Sequence, residues 1–378
     1  MTEEPKKLNG RECGRIAFLD HLRFVACFMV MAIHSCEPFY LGGTEPNVTH
    51  IATRWDMFWI TVTECLCRVC VPLFVIASSY LLFPVRGGTG AFLKRRLLRV
   101  GVPFVVWAAL YVAFFGDGSC GWGKLLFNFP DEGGHLWFVP MIIGLYILMP
   151  LVSSWAERVG RGELLGWIAV WFATTTFPFL RALWRGMYGE PSFGAVPYLW
   201  GECPWNAFGA FHYVSGFFGY VLLGLWFRRF SPAQGLRRTL RVAVPLWISG
   251  VAVLGVPFFL SVREFPFSAP YRAAVLMETS IEYCSFGVAL ATVAAFLVIR
   301  EIGSGGRVYD SVIRPVSEAS YGMYLLHMFI LPSTFALLRP QLPVPLAIAA
   351  TAAATFALSA VVALLLRKVP FFGRWMCG

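Results

Sequence analysis

Residues 20–35 read DHLRFVACFMVMAIHS, and the reading of this stretch governs the rest of the chain. It is apolar enough to enter a bilayer, yet it carries Asp20, His21, Arg23 and His34. Each residue advances a helix by about 100°, so the eleven steps from Arg23 to His34 end about 20° from their start. By the same arithmetic Asp20 lies about 40° from His34 and about 60° from Arg23. One polar stripe therefore runs along a greasy helix, with Arg23 and His34 about 16 Å apart along its axis. Ionisable groups at membrane depth are costly and usually face a bundle interior or a water-filled path. Two readings stay open: Asp20 and Arg23 pair at i, i+3 simply to let the helix insert, or the stripe lines a site.

Composition supports the membrane setting. The 378 residues are 58% hydrophobic and only 14% charged, and the mean hydropathy of +0.66 excludes an ordinary soluble domain. The net charge of +10 does not point to nucleic acid, because the basic residues sit in short segments between apolar runs. The first apolar run is interrupted by charges and lacks a convincing cleavage site, so it reads as a retained helix rather than a signal peptide.

A spanning helix needs about 20 apolar residues. The fold expected is thus all-α and polytopic, with about ten transmembrane helices. The candidates are 16–36, 57–83, 97–116, 136–156, 163–180, 208–227, 242–260, 276–299, 318–338 and 344–366. Two of them are marginal: 163–180 is short and ends at Pro178, and 276–299 contains Glu278 and Glu282. With the N-terminus placed in the cytoplasm, Lys and Arg favour the inner segments roughly threefold, which puts both termini inside. The expected organisation is a cytoplasmic tail over 1–15, a transmembrane domain over 16–367 and a cytoplasmic tail over 368–378. The loops 117–135 and 181–207 are rich in Gly, Pro and aromatics and read as interfacial lids. No internal repeat is evident, which weakens an inverted-repeat transporter. Asn47-Val48-Thr49 fits a glycosylation sequon, which has meaning only in a secretory eukaryotic setting.

Several other polar constellations fall at membrane depth. Glu64 and Arg68 stand at i, i+4, a spacing that suits either self-neutralisation or substrate contact. Glu278 and Glu282 share that spacing with like charge, so they either share a proton or remain wet near the outer interface. Arg96 and Arg99, in KRRLLR, share a face at i, i+3 and could grip phosphates, or simply anchor the loop. His327 lies inside a helix beside Tyr321 and Tyr324, whereas interfacial placement suffices to explain His135 and His212. Cys65, Cys67 and Cys70 have metal-like spacing but sit mid-helix, where packing is favoured, and no metal is expected. Cys120 and Cys203 lie in outer loops and could pair in an oxidising compartment. No P-loop, dinucleotide fingerprint, HExxH or GxSxG occurs.

Five stretches, in order, carry a resemblance. FLDHLRFVACFMVMAIHS is similar to a first helix in which a basic residue, Arg23, precedes a His, His34, by ten intervening residues. CRVCVPLFVIASSYLLF, Arg96-x-x-Arg99, HLWFVPMIIGLYILMPLV and SYGMYLLH extend the pattern to nearly the whole chain. Together they resemble the acyltransferase 3 family of multi-pass membrane acyltransferases, which commonly O-acetylate bacterial cell-envelope glycans. Ser79 stands where that pattern has Gly, removing the small residue expected at a close backbone approach.

The resemblance implies a membrane O-acyltransferase of the inner (plasma) membrane. It would move an acyl group, most simply acetyl, from cytoplasmic acyl-CoA to a hydroxyl of an envelope carbohydrate or glycolipid, with a partner protein as one route for acceptor handling. His34 is then the expected general base. Arg23 would steady the donor arm or developing charge, and Asp20 would hold Arg23. Arg96 and Arg99 would take the CoA phosphates, and Glu64, Arg68 and His327 would contact substrate. Direct transfer and an acyl-enzyme relay both remain open. The alternative is a transporter or flippase of an acylated glycan or lipid, with Glu278 and Glu282 as proton sites.

Overall fold

The computed structural model describes residues 15–40, 53–116, 131–178, 180, 209–262, 281–303, 305–370 and 372–378. Within them every regular element is helical, and eight helical runs are long and apolar enough to cross a membrane: Ala17–Phe39, Arg54–Leu82, Thr89–Phe115, Gly133–Arg158, Ala210–Arg229, Leu236–Val256, Tyr309–Gln341 and Val344–Lys368. The protein is an all-α polytopic membrane protein. Each of the ten apolar candidates coincides with helix, but the two marginal ones are short. The fifth is a helix of 14 residues, Arg161–Thr174, and the eighth is one of 15, Phe286–Arg300. Glu282 precedes that eighth helix in a turn, so it does not occupy the helical register with Glu278 that the sequence suggested. Glu278 lies outside the described residues, as do 117–130 of the first expected lid, all of the second, Cys120, Cys203 and the Asn47 sequon.

Helix α1 (Ala17–Cys36) is the hub. It packs against α2 (Arg54–Cys67), α3 (Cys70–Leu82), α10 (Phe286–Arg300), α11 (Arg314–Leu338) and α12 (Val344–Lys368). Leu19, Leu22, Ala26, Met31 and Ile33 supply its buried face. The run that the sequence presented as one helix over 57–83 is broken between α2 and α3 at Arg68 and Val69. Pro72 explains the break, because it has no N–H to return to the Arg68 carbonyl and its ring crowds that turn. Cys65, Cys67 and Cys70 are buried around this break.

Prolines and wide turns shape three further spans. Residues 97–101 form a π-helical turn between α4 (Thr89–Arg96) and α5 (Val102–Phe115), just before Pro103. A second π-turn, Tyr309–Ile313, opens α11 ahead of Pro315. Pro150 lies inside α6 (Phe138–Arg158), which is followed by α7 (Arg161–Thr174). A π-turn inserts a residue into the ladder and re-aims the side chains beyond it.

Close crossings use small residues, as helix association in lipid requires. In α9 (Leu236–Val262) a Cβ at Gly250 would lie 2.7 Å from the Gly287 carbonyl of α10. The approach that Ser79 was expected to weaken is kept. Gly224 on α8 (Phe218–Arg229) provides the space, and Ser79 Oγ donates to the Val221 carbonyl at 2.6 Å. The segment after residue 368 packs back on the bundle as α13 (Phe372–Cys377), where Trp107 Nε1 donates to the Met376 carbonyl.

Candidate functional site

Two cavities meet inside the bundle, one toward each end of α1. The first, of about 510 Å³, is lined by His34, Glu37, Arg68, His135, Trp137, Glu282 and Tyr283 among others. The second, of about 610 Å³, is lined by Arg15, Asp20, Arg23, Arg96, Arg99 and Tyr146 among others. The polar stripe of α1 therefore feeds both: Asp20 and Arg23 open into one cavity, His34 into the other.

In the His34 cavity, α1 ends at Cys36 and a 3-10 turn, Glu37–Phe39, follows with Pro38 at its start. That turn brings the Glu37 carboxylate to 2.6 Å from His34 Nδ1. A carboxylate only accepts, so Nδ1 carries the proton, and in the neutral ring Nε2 then keeps its lone pair. Two more imidazoles stand beside it, His327 at 5.1 Å and His135 at 6.2 Å between ring centres. His327 Nδ1 donates to the Tyr324 carbonyl at 2.6 Å, and its Nε2 is buried without a hydrogen-bond partner among the described residues. His135 Nε2 is also buried and unpartnered. No group of three or more His, Cys, Asp or Glu among the described residues is arranged to hold a metal ion.

Arg68 enters the same cavity at the α2–α3 break. Its Nη1 donates to Tyr283 Oη at 3.2 Å, and its Nε stands 3.4 Å from Glu64. Glu64 itself is fully buried behind Arg68, accepts from Tyr40 Oη at 2.7 Å and does not line the cavity. Direct substrate contact by Glu64 is therefore replaced by support of Arg68. Trp137, Phe217 and Tyr283 form an aromatic rim, with Trp137 5.4 Å from Tyr283 and 6.0 Å from Phe217.

The other cavity is a field of guanidinium groups. Asp20 is 2% exposed and accepts from Arg15 Nε at 2.6 Å, Tyr309 Oη at 2.8 Å and Ser317 Oγ at 2.8 Å. Arg23 is only within 3.7 Å of it. Asp20 thus clasps Arg15 and the start of α11 closely, and the expected Asp20–Arg23 ion pair is present as its longer-range contact. The Asp20 and Glu318 carboxylates beside Arg15 raise its pKa, the hydrogen bond to Asp20 outweighing burial. Glu318 also reaches Arg314 at 3.4 Å and Arg367 at 3.5 Å. Arg96 and Arg99 line the cavity with no carboxylate within salt-bridge distance among the described residues. Arg96 Nε is buried without a hydrogen-bond partner among the described residues.

Of the residues singled out in the sequence, His34, Arg68 and His327 come together, and Asp20, Arg23, Arg96 and Arg99 gather in the second cavity. Arg23 and His34 do not share a chamber. Glu37 was missed, although an acid three residues after a helix-terminal His is a readable signal. His135, taken as interfacial, is 9% exposed beside His34; no local pattern reveals that, because its partners come from α1 and α11.

A family model described as an acyltransferase domain matches residues 16–364. No curated protein and no solved structure matches the chain.

Proposed function

The chain belongs to this acyltransferase family, and from that premise we propose that it moves an acetyl group from acyl-CoA to a carbohydrate hydroxyl at the plasma membrane. The observation that carries the reading is the pair of cavities on one helix, one lined by five arginines, of which Arg96 and Arg99 have no carboxylate partner among the described residues, and the other holding the His34–Glu37 pair. Arg96 and Arg99 suit the phosphates of CoA, since guanidinium forks match phosphate geometry. Arg23 stands deeper in that cavity as a third cation for the donor. The side carrying Arg96 and Arg99 is then cytoplasmic, where acyl-CoA is found.

In the other cavity His34 Nε2 takes the proton of the acceptor hydroxyl. The oxygen attacks the thioester carbonyl, the C–S bond breaks, and the CoA thiolate receives that proton from His34. Glu37 holds the imidazole in the tautomer that keeps Nε2 free, as the carboxylate of a hydrolytic triad does. Arg68 supplies positive charge near the developing oxyanion. His327, its Nδ1 held by the Tyr324 carbonyl, packs its ring 5.1 Å from that of His34 and helps to position it. The flat faces of Trp137, Phe217 and Tyr283 suit the C–H face of a sugar ring.

The test is alkali-labile O-acetyl on envelope glycans of a host lacking the gene, complemented with wild type or His34→Ala, with membrane levels matched by immunoblot. Restoration by wild type and loss in His34→Ala is expected. Equal restoration by both removes His34 from the chemistry, and no change in any acyl group removes the acyltransferase assignment of substrate.

A further inference from the structure

The two cavities share four lining residues, Val30, Val71, Phe138 and Tyr324, contributed by α1, α3, α6 and α11. Because each of these side chains faces both cavities, they form the partition between the arginines and His34. Any donor gripped by Arg96 and Arg99 must present its acyl group across it. The four are not equally free to move. Val30 and Val71 are β-branched residues on helices, where one side-chain rotamer dominates. Tyr324 is pinned at both ends: Oη donates to the His135 carbonyl at 2.5 Å, and its own carbonyl accepts from His327. The half-buried Phe138 side chain makes ring contacts, at 5.7 Å to Tyr324 and 6.1 Å to Phe74, and, having no polar atom, is held by no hydrogen bond. It stands on the first turn of α6, after a 3-10 segment whose Gly133 departs from helical geometry.

We infer that Phe138 is the gate of this partition, swinging against the fixed Tyr324 to pass the acyl-bearing arm, and that its bulk sets the length of acyl group transferred. The inference rests on the acyl-CoA reading above. When the ring rotates away from Tyr324, the space it vacates is bounded by Val30 and Val71, which leaves room for a slender thioester arm but not for a long acyl tail. A smaller residue at 138 widens that passage; a larger one closes it. Misfit of one methylene in an apolar passage is worth about 10-fold or more in kcat/KM.

The experiment uses membrane vesicles with the donor face outward, given labelled acetyl-, propionyl- or butyryl-CoA, with alkali-labile label in the envelope fraction as readout. CoA binding to the purified full chain is measured in parallel. Phe138→Ala is expected to raise the butyryl-to-acetyl ratio about 10-fold or more, and Phe138→Trp to lower all three transfers about 10-fold with CoA binding within about twofold of wild type. Should Phe138→Ala lose CoA binding through misfolding, Phe138→Leu takes its place with the same direction of change. Wild-type chain-length ratios in the CoA-binding variants, with transfer intact in Phe138→Trp, overturn the gate alone. A wild type that neither binds CoA nor transfers label overturns the acyl-CoA reading and the gate with it.

Discussion

Glu37→Gln isolates what the carboxylate does for His34. Glutamine keeps the length of the side chain and an oxygen able to accept from Nδ1, but it removes the charge and can turn its amide to donate instead. The native pair is short, 2.6 Å, and both side chains are mostly buried, at 17% and 19% exposed. A hydrogen bond with an ionised partner is roughly twice as strong as a neutral one. In the hydrolytic triad, the equivalent change costs about 10⁴ in kcat through the wrong tautomer. Here both side chains keep some exposure, so a smaller fall of about 10²–10³ is expected, or about 3–4 kcal/mol of barrier. The donor KM should hardly move, because Arg96 and Arg99 lie in the other cavity. Glu37→Asp, which retains the charge, should recover part of the rate. Initial rates with labelled acetyl-CoA in membrane vesicles give both parameters. A Glu37→Gln enzyme within about threefold of wild type in kcat, or one whose donor KM rises while kcat holds, refutes the dyad.

Two further perturbations probe the scaffold. Gly224→Ala sets a Cβ 2.6 Å from the Ser79 side chain and should cost about 1–3 kcal/mol of stability through overpacking; thermal unfolding of the purified chain reads it, and adding Ser79→Gly should return part of the loss. Glu301 caps the end of α10 against the start of α9, where burial raises its pKa but hydrogen bonds from the Gln234 N–H, the Thr239 hydroxyl and the Gly235 N–H bring it below the ordinary glutamate value. A lowered folded pKa adds stability above the ordinary value and loses it as pH falls through the lowered one, so Glu301→Gln should flatten the acid side of a melting-temperature profile against pH.

Much of the fold was legible because hydrophobic length and charge placement are local quantities. The apolar runs marked where helices would form, and even the weak ones, 163–180 and 276–299, correspond to helices that came out short. The period of 3.6 residues put Asp20, Arg23 and His34 on one stripe without any knowledge of neighbours. The Glu64–Arg68 pair was likewise readable from its spacing, and it forms at 3.4 Å. Spacing could not say which member faces a cavity. That was settled by Tyr40, which claims Glu64, and by Tyr283, to which Arg68 donates at the cavity wall.

Tertiary structure alone decided what each polar residue meets. His135 looks interfacial until α1 and α11 bring His34 and His327 to its ring. Asp20 pairs with Arg23 at 3.7 Å as its spacing suggests, but only the fold shows that Arg15, Tyr309 and Ser317 share its oxygens at shorter range. The partition between the cavities draws one residue from each of four helices, and no sequence window contains it. By itself the sequence determined which segments enter the membrane and which faces of them are polar, because transfer free energy and helical periodicity belong to each segment. The assignment of those polar faces to two chambers required helices distant in sequence to pack, because a cavity exists only between surfaces.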